Sequence, residues 1–202
     1  MGISLQQFKQ MTERVSRRGV RAAIPVLEPT RRRTGGAEII LGIDPSLRGT
    51  GYGVIRLGKP HPMALAHGMI ACPATWPLSR CLAHISKTIR DLLQHHRPQV
   101  CVVEGLFFAQ NLRTAIVMGE ARGAALAAIA ETGIEIYELA PRKVKQAIVG
   151  YGAAQKLAVA KMVQRLLQLA EPPAPDAADA LALALAHAQT YGRYSLTSPK
   201  PI

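Results

Sequence analysis

The stretch IILGIDP, residues 39–45, decides the fold of this chain. Residues 39–43 form a continuous apolar run, which is typical of a strand buried on both faces of a sheet, and the run ends abruptly at Asp44. A second run, GTGYGVI at residues 49–55, follows after a short turn and is predicted to pair with the first as a hairpin. The sequence therefore predicts a sheet that begins with two antiparallel strands, the first of which ends in a carboxylate.

The remainder of the chain alternates strands and helices, as the change between the two hydrophobic periods indicates. Further strands are predicted at 66–71, 100–103 and 134–137. Helices are predicted at 76–95, 112–131, 141–149, 155–169 and 176–189. This order predicts an α/β fold with a mixed five-stranded sheet flanked by helices.

The composition favours a polyanionic partner and a reducing compartment. The net charge is +12, from 25 Lys and Arg against 13 Asp and Glu, and nucleic acid is the first candidate for such a basic chain. No apolar run is long enough to span a bilayer. The three cysteines show neither zinc-site spacing nor a disulfide framework, which is typical of a cytoplasmic protein.

The basic charge is concentrated at the N-terminus. Residues 1–37 contain eight basic and two acidic residues. The net charge of this segment is therefore half of the +12 of the whole chain. We interpret 1–37 as a basic, disordered extension, with an organelle transit peptide as the alternative. The predicted domain is 38–190, and 191–202 is a predicted flexible tail.

Two acidic residues end apolar strands. Asp44 closes the first strand and Glu104 follows the run at 100–103, so both are expected at the carboxyl edge of the sheet, where open α/β folds place their sites. Asp44-Pro45 is equally typical of a pair that only opens a turn, and this alternative stays open. Glutamate is a poor turn former, which favours a functional role for Glu104.

Asp176 and Asp179 form a second acidic pair, spaced i, i+3 at the start of the last predicted helix. Taken alone, this pair is explained better by helix capping and the helix dipole than by function. The four acids together favour a metal site, because crowded carboxylates repel one another unless a cation neutralises them. Oxygen ligands without Cys or His spacing favour Mg²⁺, or Mn²⁺ in its place. Two such ions can activate water and stabilise the leaving oxygen in phosphodiester hydrolysis.

Several motifs, in this order and spacing, resemble those of the RuvC family of bacterial Holliday-junction endonucleases. They are GIDP at 42–45, RGTGYGVI at 48–55, Val103-Glu104 with Phe107 and Asn111, GEARG at 119–123, RKVKQ at 142–146, VG at 149–150 with Lys156, and DAADALA at 176–182. The similarity covers about residues 38–190. The chain departs from the family pattern at Ser46, where glycine is usual, and in the extension 1–37, which has no counterpart.

The resemblance implies an RNase H-like fold and a homodimer that makes paired symmetric nicks across a four-way DNA junction. The metal-binding and catalytic acids that it implies are Asp44, Glu104, Asp176 and Asp179, with two Mg²⁺ per active site. Lys145 and Lys156 are expected to assist catalysis by holding the scissile strand, with a solvated helix face as the alternative. The expected DNA-binding residues are Phe107, Asn111, Arg113, Arg142, Lys143, Lys145 and Lys156.

The resemblance also implies partners and a place of action. Phe107 is expected to stack on bases opened at the junction, and packing into the core is the alternative, which suits Phe108 better. The small residues of the helix at 112–131 suit either a dimer interface or burial against the sheet. Association with the RuvA/RuvB branch-migration complex, action at the bacterial nucleoid in the cytoplasm and the absence of a membrane partner are further expectations.

Three other functions fit parts of the pattern. An actin-like or sugar-kinase ATPase needs two RNase H-like domains, and this chain has room for one. A junction-binding protein without activity would be expected to lack one of the four acids, and all four are present. A nuclease for RNA–DNA hybrids fits the acids but leaves the basic block at 142–156 and the Phe107 segment unexplained.

Overall fold

The computed structural model describes residues 38–105 and 111–191. The strands are β1 (Ile39–Asp44), β2 (Gly49–Arg56), β3 (Met63–Ala71), β4 (Val100–Glu104) and β5 (Glu135–Leu139). The helices are α1 (Leu78–His96), α2 (Leu112–Ala130), α3 (Pro141–Val149), α4 (Lys156–Leu167) and α5 (Pro175–Tyr191). None of these five helices combines the length and the apolar character that a bilayer crossing requires.

The five strands form one mixed sheet in the order β3-β2-β1-β4-β5. β1, β2 and β3 pair antiparallel, whereas β4 and β5 continue the sheet parallel to β1. The carboxyl ends of β1, β4 and β5 therefore meet at one edge of the sheet. The predicted α/β fold with a mixed five-stranded sheet is confirmed.

Helices cover both faces of the sheet, which explains the continuous apolar runs of β1 and β4. Leu41, Ile43 and Val103 point to the face covered by α1 and α2. Ile40 and Val102 point to the opposite face, where α3, α4 and α5 pack. Because neighbouring residues of a strand point to opposite faces, every position of such a strand must be apolar.

The helix α5 lies against the centre of the sheet. Most of its residues from Ala177 to Ala186 are buried, as expected for a helix enclosed by both the sheet and other helices. The register partners Gly42 and Gly53 permit this approach, since a Cβ on Gly42 would overlap the main chain of Ala180 and one on Gly53 would meet Leu181. Glycine in the two central strands thus sets how closely α5 approaches the sheet.

Two strands are longer than the sequence pattern predicts. β3 begins at Met63 rather than at 66, because an edge strand needs partners on one side only and tolerates the preceding Pro62. β5 extends to Leu139, because the acidic Glu138 forms an ion pair with Arg122 of α2 rather than ending the strand. The predicted extension 1–37 and the Phe107 segment lie outside the described residues, as does the predicted tail beyond Tyr191, the last residue of α5.

Candidate active site

The turn after β1 is held by a side chain that the sequence analysis did not single out. The hydroxyl of Thr50, which is fully buried, donates to the carbonyl of Ser46 at 2.6 Å and accepts from the Ser46 N–H at 3.3 Å. A buried hydroxyl paired in this way fixes the loop that follows Asp44. Thr50 therefore supplies side-chain hydrogen bonds that hold this turn.

Arg48 ties the same turn to the segment between β3 and α1. Its Nη1 donates to the carbonyl of Pro73 at 2.6 Å and to the carbonyl of Trp76 at 3.2 Å. The same atom lies 3.2 Å from the Sγ of Cys81. Arg48 therefore fixes the position of the turn relative to the segment before α1. Nothing in the sequence around Arg48 indicated this role.

Asp44 and Glu104 lie side by side at the carboxyl edge of the sheet. Their strands are parallel neighbours, with Ile43 opposite Val103 in the register. Burial, the charge of Glu104 and a hydrogen bond between the two carboxyl groups raise the pKa of Asp44 to about 8. Burial is also the main cause that raises the pKa of Glu104. The protein thus holds two adjacent carboxyl groups in surroundings that disfavour their charged forms.

The second acidic pair reaches the same edge through α5. Asp176 lies in the first turn of α5, after Pro175, so it is not the residue that caps the helix. Gly51, the register partner of Asp44, faces the main chain of Asp176 so closely that a Cβ would overlap its carbonyl oxygen. The charge of Asp179 raises the pKa values of both Asp44 and Glu104, which shows that it shares their surroundings.

Two lysines face these acids. The Nζ of Lys156 donates to Oδ2 of Asp179 at 2.9 Å, and this hydrogen bond is the main cause that raises the pKa of Lys156. The positive charge of Lys145 opposes the rise in the pKa of Glu104. The structure therefore brings together all six residues that the sequence analysis singled out as catalytic.

The other predicted DNA-binding residues surround this edge or lie outside the described residues. Asn111 caps α2, since its side chain accepts from the N–H of Thr114 at 2.9 Å. Arg113 lies in the first turn of α2 and lines a shallow groove with Leu47 and Arg48. Arg142 and Lys143 are exposed at the start of α3. Phe107 lies outside the described residues.

The chemistry of this cluster fits a divalent cation. Four carboxylates at one sheet edge supply the hard oxygen ligands that such a cation prefers. Burial, with the charge of Asp179 adding to it, raises the pKa values of Asp44 and Glu104 and so disfavours their charged forms in the absence of a cation. Among the described residues, no three Asp, Glu, His or Cys side chains lie close enough together to form a metal site as they stand. Lys156 supplies part of the compensating charge by pairing with Asp179.

A mixed sheet in this strand order, helices on both faces and acids at the ends of β1 and β4 together define an RNase H-like nuclease. Comparison with known proteins specifies the family. The model of the family described as crossover junction endodeoxyribonuclease RuvC matches residues 40–187. The chain belongs to the RuvC family, a family of metal-dependent nucleases.

Named relatives support this assignment over most of the chain. The RuvC endonuclease of Protochlamydia amoebophila is 45% identical over 152 residues, which are 75% of this chain and 90% of the relative. That of Maricaulis maris is 45% identical over 159 residues, 79% of this chain and 95% of the relative.

Solved structures share the fold. The structure of Thermus thermophilus RuvC in complex with a Holliday junction substrate has a TM-score of 0.74 at 35% identity and covers 82% of this chain and 99% of that one. The yeast mitochondrial Holliday junction resolvase has a TM-score of 0.56 at 14% identity over 75% of this chain and 78% of that one, so its likeness concerns the fold alone.

Proposed function

We propose that this protein resolves four-way DNA junctions by paired symmetric nicks, in homologous recombination and DNA repair. The main support is that four acids and two lysines meet at one edge of the sheet, namely Asp44, Glu104, Asp176, Asp179, Lys145 and Lys156. The chain also belongs to the RuvC family. A related chain was solved with a Holliday junction substrate, which supports the same substrate class here.

The four acids hold the metal in this proposal. Mg²⁺, two per active site with Mn²⁺ as a substitute, supplies activation of the attacking water and stabilisation of the leaving oxygen. Asp44 is placed between Glu104 on β4 and the start of α5, so its carboxylate is suited to serve both halves of the cluster. Burial raises the pKa of Asp44 and so disfavours its charged form. A bound dication would favour that charged form, which supports a metal ion as the ligand of Asp44.

The lysines hold the DNA strand. Lys156 donates a hydrogen bond to Asp179, and the positive charge of Lys145 acts on Glu104. A phosphate that enters the cleft therefore meets both ammonium groups beside the metal ligands. Arg142 and Lys143 extend this basic surface along α3, and Arg113 and Asn111 approach the strand from α2. Phe107 is proposed to stack on a base opened at the crossover.

A homodimer completes the proposal, since a four-way junction has an approximate two-fold axis and needs two matched cuts. The small residues of α2 divide between two faces. Ala121, Ala125 and Ala128 are buried against the sheet. Gly119 and Gly123 face open space, on the same side of the helix as two exposed apolar residues, Leu112 at 77% and Ile116 at 53% exposure. This outward face of α2 is the proposed dimer interface.

The cell biology follows from the substrate. The proposed place of action is the bacterial cytoplasm, at the nucleoid, because the bacterial relatives keep their chromosome there. Association with the RuvA/RuvB branch-migration complex is proposed for the same reason, since that complex acts on the same junctions. Co-purification of this protein with RuvA and RuvB on an immobilised junction tests this association.

The activity is tested by cleavage of a synthetic four-way junction with Mg²⁺, with the wild type beside Asp44→Asn. We expect paired symmetric nicks that fall by at least about 100-fold in the variant while junction binding survives. The exposed Asp91 of α1 provides the matched control, Asp91→Asn, which should cut like the wild type. Tight junction binding without nicking by the wild type, in either Mg²⁺ or Mn²⁺, would contradict the enzymatic proposal.

A further inference from the structure

The turn between α3 and α4 exposes an aromatic ring beside the proposed active site. Tyr151 follows Gly150, which ends α3 with a φ of 96°, and it is 56% exposed. Among the side chains of residues 38–105 and 111–190, it is the only aromatic one of the exposed large apolar group. An exposed aromatic ring is available to stack on the face of a ligand.

The structure places this turn near the carboxyl edge of the sheet. α3 begins directly after β5, whose last residue Leu139 is the register partner of Glu104. The turn folds back along α3, because Gly152 packs against the Arg142 side chain, in the first turn of that helix. At its other end the chain enters α4 at Lys156, which binds Asp179. In the sequence, Tyr151 thus lies between Lys145, whose charge acts on Glu104, and Lys156, which pairs with Asp179.

The charge around the turn indicates what kind of partner the ring meets. The segment 141–156, which contains Tyr151, has four basic residues and no acidic one, namely Arg142, Lys143, Lys145 and Lys156. Such a surface is complementary to a nucleic-acid backbone. A protein or lipid surface explains the basic charge less well, because an exposed ring interleaved with cations is the pattern of single-strand nucleic-acid contacts.

We propose that Tyr151 stacks on an unpaired base of the junction strand, next to the phosphate held by Lys156. This inference rests on the proposed function and adds a residue that discriminates the substrate. Bases in an intact duplex are stacked on one another and expose no face to a side chain, whereas bases at an open crossover do. The ring therefore contributes to binding of the junction and not to binding of a linear duplex.

The test measures Kd by fluorescence anisotropy for a four-way junction and for a linear duplex with the same arm sequence. The full-length protein carries Asp44→Asn throughout, so that no substrate is cut. Tyr151→Ala is expected to weaken junction binding about 10-fold and duplex binding less than about 2-fold, whereas Tyr151→Phe should bind both like the parent. Unchanged junction binding by Tyr151→Ala, or an equal loss on both substrates, overturns the inference.

Two controls separate stacking from other effects. Met63→Ala removes a similarly exposed side chain, 54%, at the opposite end of the sheet and should change neither Kd. Tyr151→Leu keeps apolar bulk without a ring, so it should lose junction binding as Tyr151→Ala does, and full binding by this variant also contradicts stacking. Thermal unfolding of each variant shows whether the fold is intact.

Failure of this inference and failure of the proposed function give different results. If the protein with its native Asp44 nicks junctions and Tyr151→Ala nicks them equally well at limiting protein concentration, only the role of Tyr151 is wrong. If the wild type neither binds nor nicks a junction, the proposed function fails and this inference fails with it.

Discussion

Gly51 of β2 faces the main chain of Asp176 at the start of α5, with no space between them for a side chain. Gly51 is also the register partner of Asp44. One glycine therefore brings two acids, which are far apart in the sequence, to the same edge of the sheet. The position of α5, and with it half of the acidic cluster, depends on this contact.

Gly51→Ala should separate the acids by forcing α5 away from the sheet. Overpacking of this kind costs about 1–3 kcal/mol of unfolding free energy, and we expect nicking to fall further than stability because the acids lose their alignment. Thermal unfolding and junction cleavage measure the two effects. Gly58→Ala is the control, since its Cβ would meet the His61 carbonyl oxygen at an ordinary 3.7 Å. Wild-type nicking by Gly51→Ala would contradict this role.

The metal-free protein should lose stability as the pH rises. The pKa of Asp44 is raised from 3.8 to about 8 in the folded state, so between these values the folded protein binds more protons at this site than the unfolded chain does. The contribution of Asp44 to the unfolding free energy therefore falls from about pH 4 to about pH 8 and is level above that.

Urea unfolding in EDTA across this pH range measures the effect, as the difference between the wild type and Asp44→Asn. The slope of this difference should flatten or reverse when Mg²⁺ is added, because the dication favours the charged carboxylate. A difference that is independent of pH without metal would show that the surroundings of Asp44 do not disfavour its charge.

Lys156→Ala should impair cleavage with little effect on stability. The Lys156 side chain is 68% exposed and that of Asp179 is 19% exposed, so the ion pair stabilises the fold by less than about 1 kcal/mol. Loss of a cation beside the scissile phosphate should lower the nicking rate by about 100-fold. Lys161→Ala, on an exposed position of the same helix, should cut normally. Equal activities of the two variants would assign Lys156 to a solvated helix face.

Ile116→Glu should convert the proposed dimer to a monomer, because a carboxylate on the outward face of α2 cannot be buried in an apolar interface without a partner. Light scattering coupled to gel filtration measures the mass. Met63→Glu is matched in exposure, 54% against 53% for Ile116, and should leave the mass unchanged. A wild-type protein that is already monomeric at micromolar concentration would refute the interface.

The strands and the acids at their ends were predictable from sequence because both depend on local pattern. A buried strand must be apolar on both faces, so β1 and β4 stand out, and an acid that ends such a run is conspicuous. The extended β3 and β5 were not predictable, since Pro62 and Glu138 are tolerated only because of the edge position and the Arg122 partner. Thr50 and Arg48 were missed because their partners lie across a turn and a loop.

By itself, the sequence determined the fold class and the RuvC family and predicted the four acids, all of which rest on residue type and spacing. Only the tertiary structure decided that Asp44 has a raised pKa, that Lys156 pairs with Asp179, and which small residues of α2 face outward. Electrostatic interactions and burial depend on distances between segments that are remote along the chain. Those distances are set by packing, chiefly by how closely α5 approaches β1 and β2.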